Sequence, residues 1–415
     1  MRILIPLLLL LACSMSVGSA EPADWPQFLG PGRDGRYAGD AKALAATWPA
    51  GGPKVVWEKK VGRGWSSPVV AGGRVFVFHR EGDVEVLECL EAGTGQAVWR
   101  AEDATAYRDK FDFDDGPRST PTVSGERVFT LGAAGLLASR DVATGKQVWA
   151  VDTRKAYGSD EGYFGMACSP LVEGKAVIVN VGGKAGGKGA GVVGFDAATG
   201  KLLWQATDHE AGYSSPIAAT VAGKRRVLSL TRDGLVSLAP ESGEVDWVYK
   251  FRARTNASVN AATPVVARDQ VFLTASYGVG AALLTWGEAR PTVVWEGDEA
   301  LSAHYATPVL FEGHLYGVHG RQETGCEMRC VEWATGKVKW TKEGFGAATV
   351  MLAGDAVLAL TEDGELVRVA TTPAEYNETA RAKVLGGGVR SGGALADGLY
   401  FARDGKRIVC RDLRR

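Results

Sequence analysis

The sequence predicts an all-β protein: an eight-bladed β-propeller of four-stranded antiparallel blades, its ring closed by a strand from near the N-terminus. Three observations predict it. A strand ending in Trp recurs behind a Gly-containing turn, and a small residue followed by Pro recurs ahead of a short apolar strand. The last repeat is then one strand short, while a spare strand precedes the first. Repetition on this scale is the mark of propellers and solenoids.

In chain order, the first element is an export signal. Arg2 supplies a positive start, Ile3 to Ala12 is almost wholly apolar, and Gly18 and Ala20 stand at −3 and −1 of a cut before Glu21. Leu10-Leu11-Ala12-Cys13 offers a second reading, a bacterial lipobox in which a lipidated Cys13 becomes the mature N-terminus. Both readings put the mature protein outside the cytoplasm, as a periplasmic, extracellular or outer-membrane-associated chain. The apolar run is too short to remain as a membrane span, and no later segment is apolar enough to be one. The expected division is a signal at 1–20, an N-terminal extension at 21–52 and one propeller domain at 53–415.

The spare strand is PKVVWEKK, Pro53 to Lys60. After it, EAGTGQAVW ends at Trp99, DVATGKQVW at Trp149, DAATGKLLW at Trp204, APESGEVDW at Trp247 and EWATGKVKW at Trp340. In each, a Gly (Gly95, Gly145, Gly200, Gly243, Gly336) precedes the Trp by four residues. That Gly takes the positive φ a hairpin turn needs, and strand alternation sets the Trp at a fixed depth. Trp57 and Trp295 end similar strands whose turns have drifted. All seven tryptophans are read as structural, each burying roughly 150–250 Å² between blades.

The second marker opens strands at Pro68, Pro121, Pro170, Pro216, Pro264 and Pro308, 44 to 53 residues apart. A second strand follows about ten residues on, then a third, then the Trp strand, which makes a four-stranded blade. A seventh blade runs from Ala347 to about Val384 without a Trp. An eighth opens near Gly392 and has three strands when Arg415 is reached, so Pro53–Lys60 is expected to pair with Arg407–Asp412. Closure removes the free edge that invites aggregation.

Composition narrows the function. Lys plus Arg number 47 against 48 Asp plus Glu, a net charge of −1, which argues against nucleic acid as partner because phosphates require a basic face. No CxxCH or CxxC occurs, so c-type haem and the usual zinc and redox cysteine motifs are not expected. Cys326 and Cys330 would lie about 13 Å apart on one strand, beyond disulfide reach, and Cys89 and Cys330 read as buried small side chains. Asp112, Asp114 and Asp115 lack EF-hand spacing and read as a solvated loop. The Gly-rich stretch from Gly182 reads as a hairpin connection, and His314 and His319, five apart on a strand, point to opposite faces. No metal site is expected. HExxH, GxSxG and Walker A patterns are missing.

The TGKxxW strand resembles the tryptophan-docking repeat of pyrroloquinoline-quinone (PQQ)-type propellers over Val55 to Arg415, and DWPQFLGPGRDG (Asp24 to Gly35) resembles the N-terminal signature of secreted bacterial PQQ-like propellers. The resemblance implies two better-known relatives. One is the quinoprotein dehydrogenases, which bind PQQ and Ca²⁺ on the axis. The other is the outer-membrane assembly lipoprotein, a propeller that binds proteins without a cofactor. The dehydrogenases carry a catalytic Asp, Glu/Asn/Asp calcium ligands, a Trp under the quinone and often an adjacent Cys pair. This chain has no adjacent cysteines and is shorter than they are. The expectation is therefore a binding or scaffolding module without cofactor, its partner a protein, small molecule or glycan. A PQQ- and Ca²⁺-dependent alcohol or sugar dehydrogenase is the alternative.

The segment leading into each Pro lies on one rim of a propeller and runs inward to the axis. Three or four residues back from the prolines stand Trp65, Arg118, Met166, Tyr213, Asn260, His304 and Tyr305, and the loop RTNASVN adds Arg254 and Asn256. Aromatic faces, guanidiniums and amides converging on one concave mouth are what a ligand or partner site needs. The loops after Trp99 and Trp149 are the longest of their class and the expected place for recognition to be elaborated. Replacing Arg118 and Tyr213 by Ala is expected to leave stability nearly unchanged.

Overall fold

The computed structural model describes residues 23–415 apart from 161, 254, 256–258 and 288. The signal region, Arg254 and Asn256 lie outside the described residues. Eight four-stranded antiparallel sheets follow one another around a ring. Six of them open directly after the marker prolines, with first strands Val69–Ala71, Thr122–Ser124, Leu171–Glu173, Ile217–Val221, Val265–Ala267 and Val309–Phe311. These strands lead blades 1 to 6. Blade 7 spans Ala348–Ala353 to Glu378–Lys383, and blade 8 takes Ala394–Ala396, Leu399–Arg403 and Arg407–Asp412. First strands of neighbouring blades touch, which sets them around a common axis.

The spare strand closes the ring. Lys54–Lys60 pairs antiparallel with Arg407–Asp412, from Lys54 opposite Asp412 to Lys60 opposite Arg407. Arg403, fully buried, bolts the seam between blades 8 and 1 by donating to the carbonyls of Phe78 (2.8 Å) and Gly62 (2.6 Å).

Each Trp docks on the next blade. Trp99 Nε1 donates to the Val142 carbonyl at 2.8 Å, and a Cβ on Gly145, whose φ is +71°, would fall inside the Trp99 ring. The same bond recurs from Trp57 to Ala92, Trp149 to Ala197, Trp204 to Pro240, Trp295 to Trp333 and Trp340 to Thr372. Trp247 departs from the pattern. The blade it meets lacks the Gly turn, and Trp247 instead meets Trp286 edge-on at 4.8 Å, its own N–H without a partner.

The five described cysteines are buried and free, with Cys89, Cys330 and Cys410 opposite Trp99, Trp340 and Trp57. The Gly-rich stretch forms a small hairpin, Lys184–Ala185 against Lys188–Gly189. The solvated-loop reading of the acidic cluster needs correction. Asp112 is exposed, but Asp114 is buried, its carboxylate accepting from the N–H groups of Gly64 and Gly116, and Asp115 accepts from that of Asp109. No helix among the described residues is long and apolar enough to cross a membrane.

Candidate functional site

The axis holds a cup closed at one end. Inner strands begin at the mouth and run down to the far rim, where the N-terminal segment lies across the opening. Trp25 pairs with Val70, Val123 N–H donates to the Pro26 carbonyl, and Tyr37 and Gly35 bond Leu352. Arg33, 3 % exposed, reaches up the axis. Its guanidinium donates to the carbonyls of Pro216 (2.7 Å), Ser169 (3.3 Å) and Pro170, to Thr122 Oγ1 (3.1 Å) and to Gln27 Oε1 (2.8 Å). One side chain thus ties blades 2, 3 and 4 to the closure, and every acceptor is a neutral oxygen that suits a guanidinium's five donors. Above it, Trp25, Phe28 and Leu29 form the floor of a cavity of about 230 Å³ that is open at the mouth.

The wall begins as a ring of hydroxyls. The residue before each marker Pro is Ser or Thr, and at four of the six its N–H donates to the next hydroxyl around the axis. Ser67 donates to Thr120, Thr120 to Ser169, Ser169 to Ser215 and Thr263 to Thr307, while Gly392 of blade 8 donates to Ser67 (2.8–3.1 Å throughout). These bonds satisfy backbone donors that the short inner strands leave open.

Next toward the mouth come the residues three before each Pro: Trp65, Arg118, Ala167, Tyr213, Ala261 and Tyr305, all lining the cup. His304 lines it too. Met166 and Asn260 do not. They stand four before their prolines, as His304 does, and in blades 3 and 5 that one step turns the side chain away from the axis. Met166 is buried among Phe129, Trp149 and Val177 between blades 2 and 3. Asn260 is buried as a splint, its amide donating to the carbonyls of Thr231 and Phe251 at 2.8 Å.

A polar and aromatic belt crosses the mouth. Arg118 donates to Asp109 (2.5 Å) and to the Asp114 carbonyl (3.0 Å), and its guanidinium lies 4.7 Å from the Trp65 ring centre. Arg390 lies 4.6 Å from the same ring and donates through Nε to Glu362 (2.5 Å). Gln322 bridges Glu362 (3.4 Å) and His304 Nδ1 (2.8 Å), and His304 Nε2 meets the Tyr277 hydroxyl at 3.1 Å. Burial pushes the His304 pKa down, so the ring is neutral and can act as acceptor toward one neighbour and donor toward the other. Burial pushes the Tyr305 phenol pKa up, and its hydroxyl has no partner among the described residues.

Sequence reading missed the outer lip. The loop after blade 1 carries Phe111 and Phe113, 50 % and 56 % exposed and stacked 6.0 Å apart. The loop after blade 2 brings Phe164 within 5.5 Å of Phe111, and Tyr213 holds that loop by accepting from the N–H groups of Tyr163 (2.9 Å) and Phe164 (3.2 Å). Aromatics packed into the two longest loops were the available signal. Arg390, Gln322 and Tyr277 had none, since blade 8 has no marker Pro and the other two sit in hairpin turns.

Tryptophan-docked blades around a one-ended axial cup define a PQQ-like repeat propeller. The family model described as outer membrane protein assembly factor BamB matches residues 83–342, and the chain belongs to that family. BamB of Burkholderia pseudomallei is 27 % identical over 377 residues, 84 % of this chain and 90 % of that protein. The dehydrogenase subunit of a quinone alcohol dehydrogenase from Acetobacter aceti is 31 % identical over 145 residues, 34 % of this chain and 19 % of that one. Two solved structures share the fold. BamB from Moraxella catarrhalis matches with a TM-score of 0.62 at 16 % identity, covering 86 % of this chain and 97 % of that one. Quinohemoprotein alcohol dehydrogenase from Comamonas testosteroni matches at 0.65 and 14 %, covering 94 % and 80 %.

Proposed function

We propose that this chain is an extracytoplasmic binding or scaffolding propeller that engages its partner through the open mouth of the axial cup. The observation that carries this reading is the pair Phe111 and Phe113, held out over the mouth by a loop that the carboxylates of Asp109, Asp114 and Asp115 fix. Contiguous exposed apolar surface rimmed by polar groups is a mark of an interaction site. Membership of a family described as assembly factors supports a role in contact with other proteins. A photo-reactive residue at position 113, introduced in the producing cell, should form adducts at the mouth. The same residue at Lys224, on the opposite rim, should form none. Adducts at Lys224 alone would move the site to the other face.

The lining weighs against the quinoprotein alternative. Calcium takes six to eight oxygens, and Glu323 is the one carboxylate among the described lining residues. Asp109, Asp114 and Asp115 already accept from backbone N–H groups and Arg118. Trp65, which would serve as the quinone's platform, is occupied by two guanidiniums. These residues do not fit the cofactor pair. Titration with PQQ and Ca²⁺ is expected to show no saturable binding at micromolar quinone; alcohol- or sugar-dependent dye reduction that requires both would restore the dehydrogenase.

A further inference from the structure

The cup's chemistry bears on what enters it. Its guanidiniums are matched by carboxylates: Arg118 pairs with Asp109 and Arg390 with Glu362, while Arg321 and Glu323, either side of Gln322, carry opposite charges. The mouth therefore has no net charge with which to draw an ion. No lysine lines it, and its rings are Trp65, Phe113, Phe164, Tyr213, Tyr277 and Tyr305 above an apolar floor. Aromatics and Arg without Lys is the composition of a protein-interface core.

One set of donors is left over. The terminal amino groups of Arg390, which lines the cup with a side chain 29 % exposed, make no hydrogen bond among the described residues. Hydrogen bonds from a charged guanidinium are among the stronger ones, so this corner is suited to an incoming oxygen. The closed floor adds a geometric limit: a chain that enters cannot pass through and has to leave by the same mouth.

We propose that the cup receives an uncharged, aromatic loop tip of a partner polypeptide, with a backbone carbonyl accepting from Arg390. This rests on the reading of the mouth as the binding surface and names its occupant. A threaded strand is ruled out by Trp25, Phe28 and Leu29 across the far end, and an anionic ligand gains nothing from a balanced mouth.

The test uses the mature protein and three probes: N-acetyl-Phe-Phe-amide, the same dipeptide with a free carboxylate, and maltose. Binding is followed by quenching of tryptophan fluorescence and by shifts in methyl NMR signals of Met351 and Leu358, which line the cup. The amide is expected to bind saturably, with affinity unchanged between low and high salt. Arg390→Gln should weaken it about three- to tenfold, and Phe113→Ala should weaken it as well. Circular dichroism confirms that each variant is folded. A carboxylate form bound tenfold more tightly, or maltose bound in place of the peptide, would overturn the neutral-peptide occupant while leaving the mouth as the site. Saturable amide binding that neither substitution weakens would overturn both, because the peptide would then be seated elsewhere. The absence of binding by any probe would also overturn the occupant, and the adduct pattern from position 113 then decides separately whether the mouth is the site.

Discussion

Single side chains set the angle between one blade and the next, and the tryptophan docks show how much each contributes. Trp99→Phe keeps most of the buried ring and loses the bond to Val142, leaving a carbonyl unsatisfied at a cost of about 1–3 kcal/mol. Trp247→Phe removes an N–H that has no partner, so it should cost clearly less than Trp99→Phe in urea unfolding. Equal costs would mean that ring burial alone holds the blades. Two histidines make a second repeated contact. His79 Nδ1 accepts from the N–H of Gly62 and His319 Nδ1 from that of Ser302, both at 3.0 Å, and both lie on the second strand of their blades. Burial pushes both pKa values below the ordinary imidazole value. The unfolded chain then takes up the protons first, so the stability these rings contribute is present above about pH 6.5 and is lost as pH falls through their folded values. Glu85 has the opposite sign. Burial raises its pKa to about 7, so its contribution is present at low pH and lost as pH rises through that value. The check is a difference: between pH 7.5 and 5, His79→Asn/His319→Asn should lose less stability than the parent, by on the order of 1 kcal/mol. Equal losses in urea unfolding at the two pH values would show that neither ring titrates with folding.

At the scale of elements, the mouth is made by loops that the blades only launch. Arg118 is a strut as well as a lining residue: its carboxylate partner Asp109 has a side chain with no exposure, and Tyr213 supports the neighbouring loop. The expectation that Arg118 and Tyr213 can be replaced without effect on stability therefore gives way. Arg118→Ala leaves a buried carboxylate unpaired, a loss of about 3–5 kcal/mol, whereas Phe113→Ala on the exposed lip should stay within about 0.5 kcal/mol. Thermal melts of the two variants side by side test the assignment, and similar melting temperatures would refute it. The inner strands, the Trp strands and the seam were legible in the sequence because each repeats a residue at a fixed offset from a turn or a proline. The lining was legible to within one residue. Counting three back from Pro lands on the axis, and counting four turns Met166 and Asn260 away from it, while His304, also four back, still lines the cup. The lip was legible only as two long loops, since Phe111 and Phe164 meet through space and share no period. The N-terminal signature gave no structural hint by periodicity, because its closure of the axis is written in one buried Arg and three apolar side chains that repeat nothing.

The whole molecule is a ring whose two ends meet, and its stability is expected to belong to the ring more than to any blade. The closing strand contributes Trp57, which docks on blade 1 through the Ala92 carbonyl at 2.8 Å, packs 5.9 Å from Phe401 and stands opposite Cys410. Its dock on Ala92, 35 residues on, is the contact that Trp99 makes with the next blade in line, while its pairing with Arg407–Asp412 joins the two ends of the chain. If closure is a structural joint, Trp57→Ala should cost at least as much as Trp99→Ala at its half-buried site, about 3–5 kcal/mol for the buried Trp57. The loss should also appear throughout the molecule. Opening the seam exposes the edge of Arg407–Asp412 and frees Arg403 from its acceptors on Phe78 and Gly62, and an unpaired edge is a template for pairing with a second chain. Hydrogen exchange in the Trp57→Ala protein should therefore quicken first in blades 8 and 1, and removal of residues 53–60 should add concentration-dependent association. The N-terminal segment joins the ring from inside. Arg33→Ala withdraws donors from blades 2, 3 and 4 at once, so exchange should quicken there, on the side of the ring away from the seam. Two perturbations with non-overlapping first effects and one shared unfolding transition are the behaviour of a closed ring. Independent melting of a single blade in either variant would show instead that the blades are beads on a string.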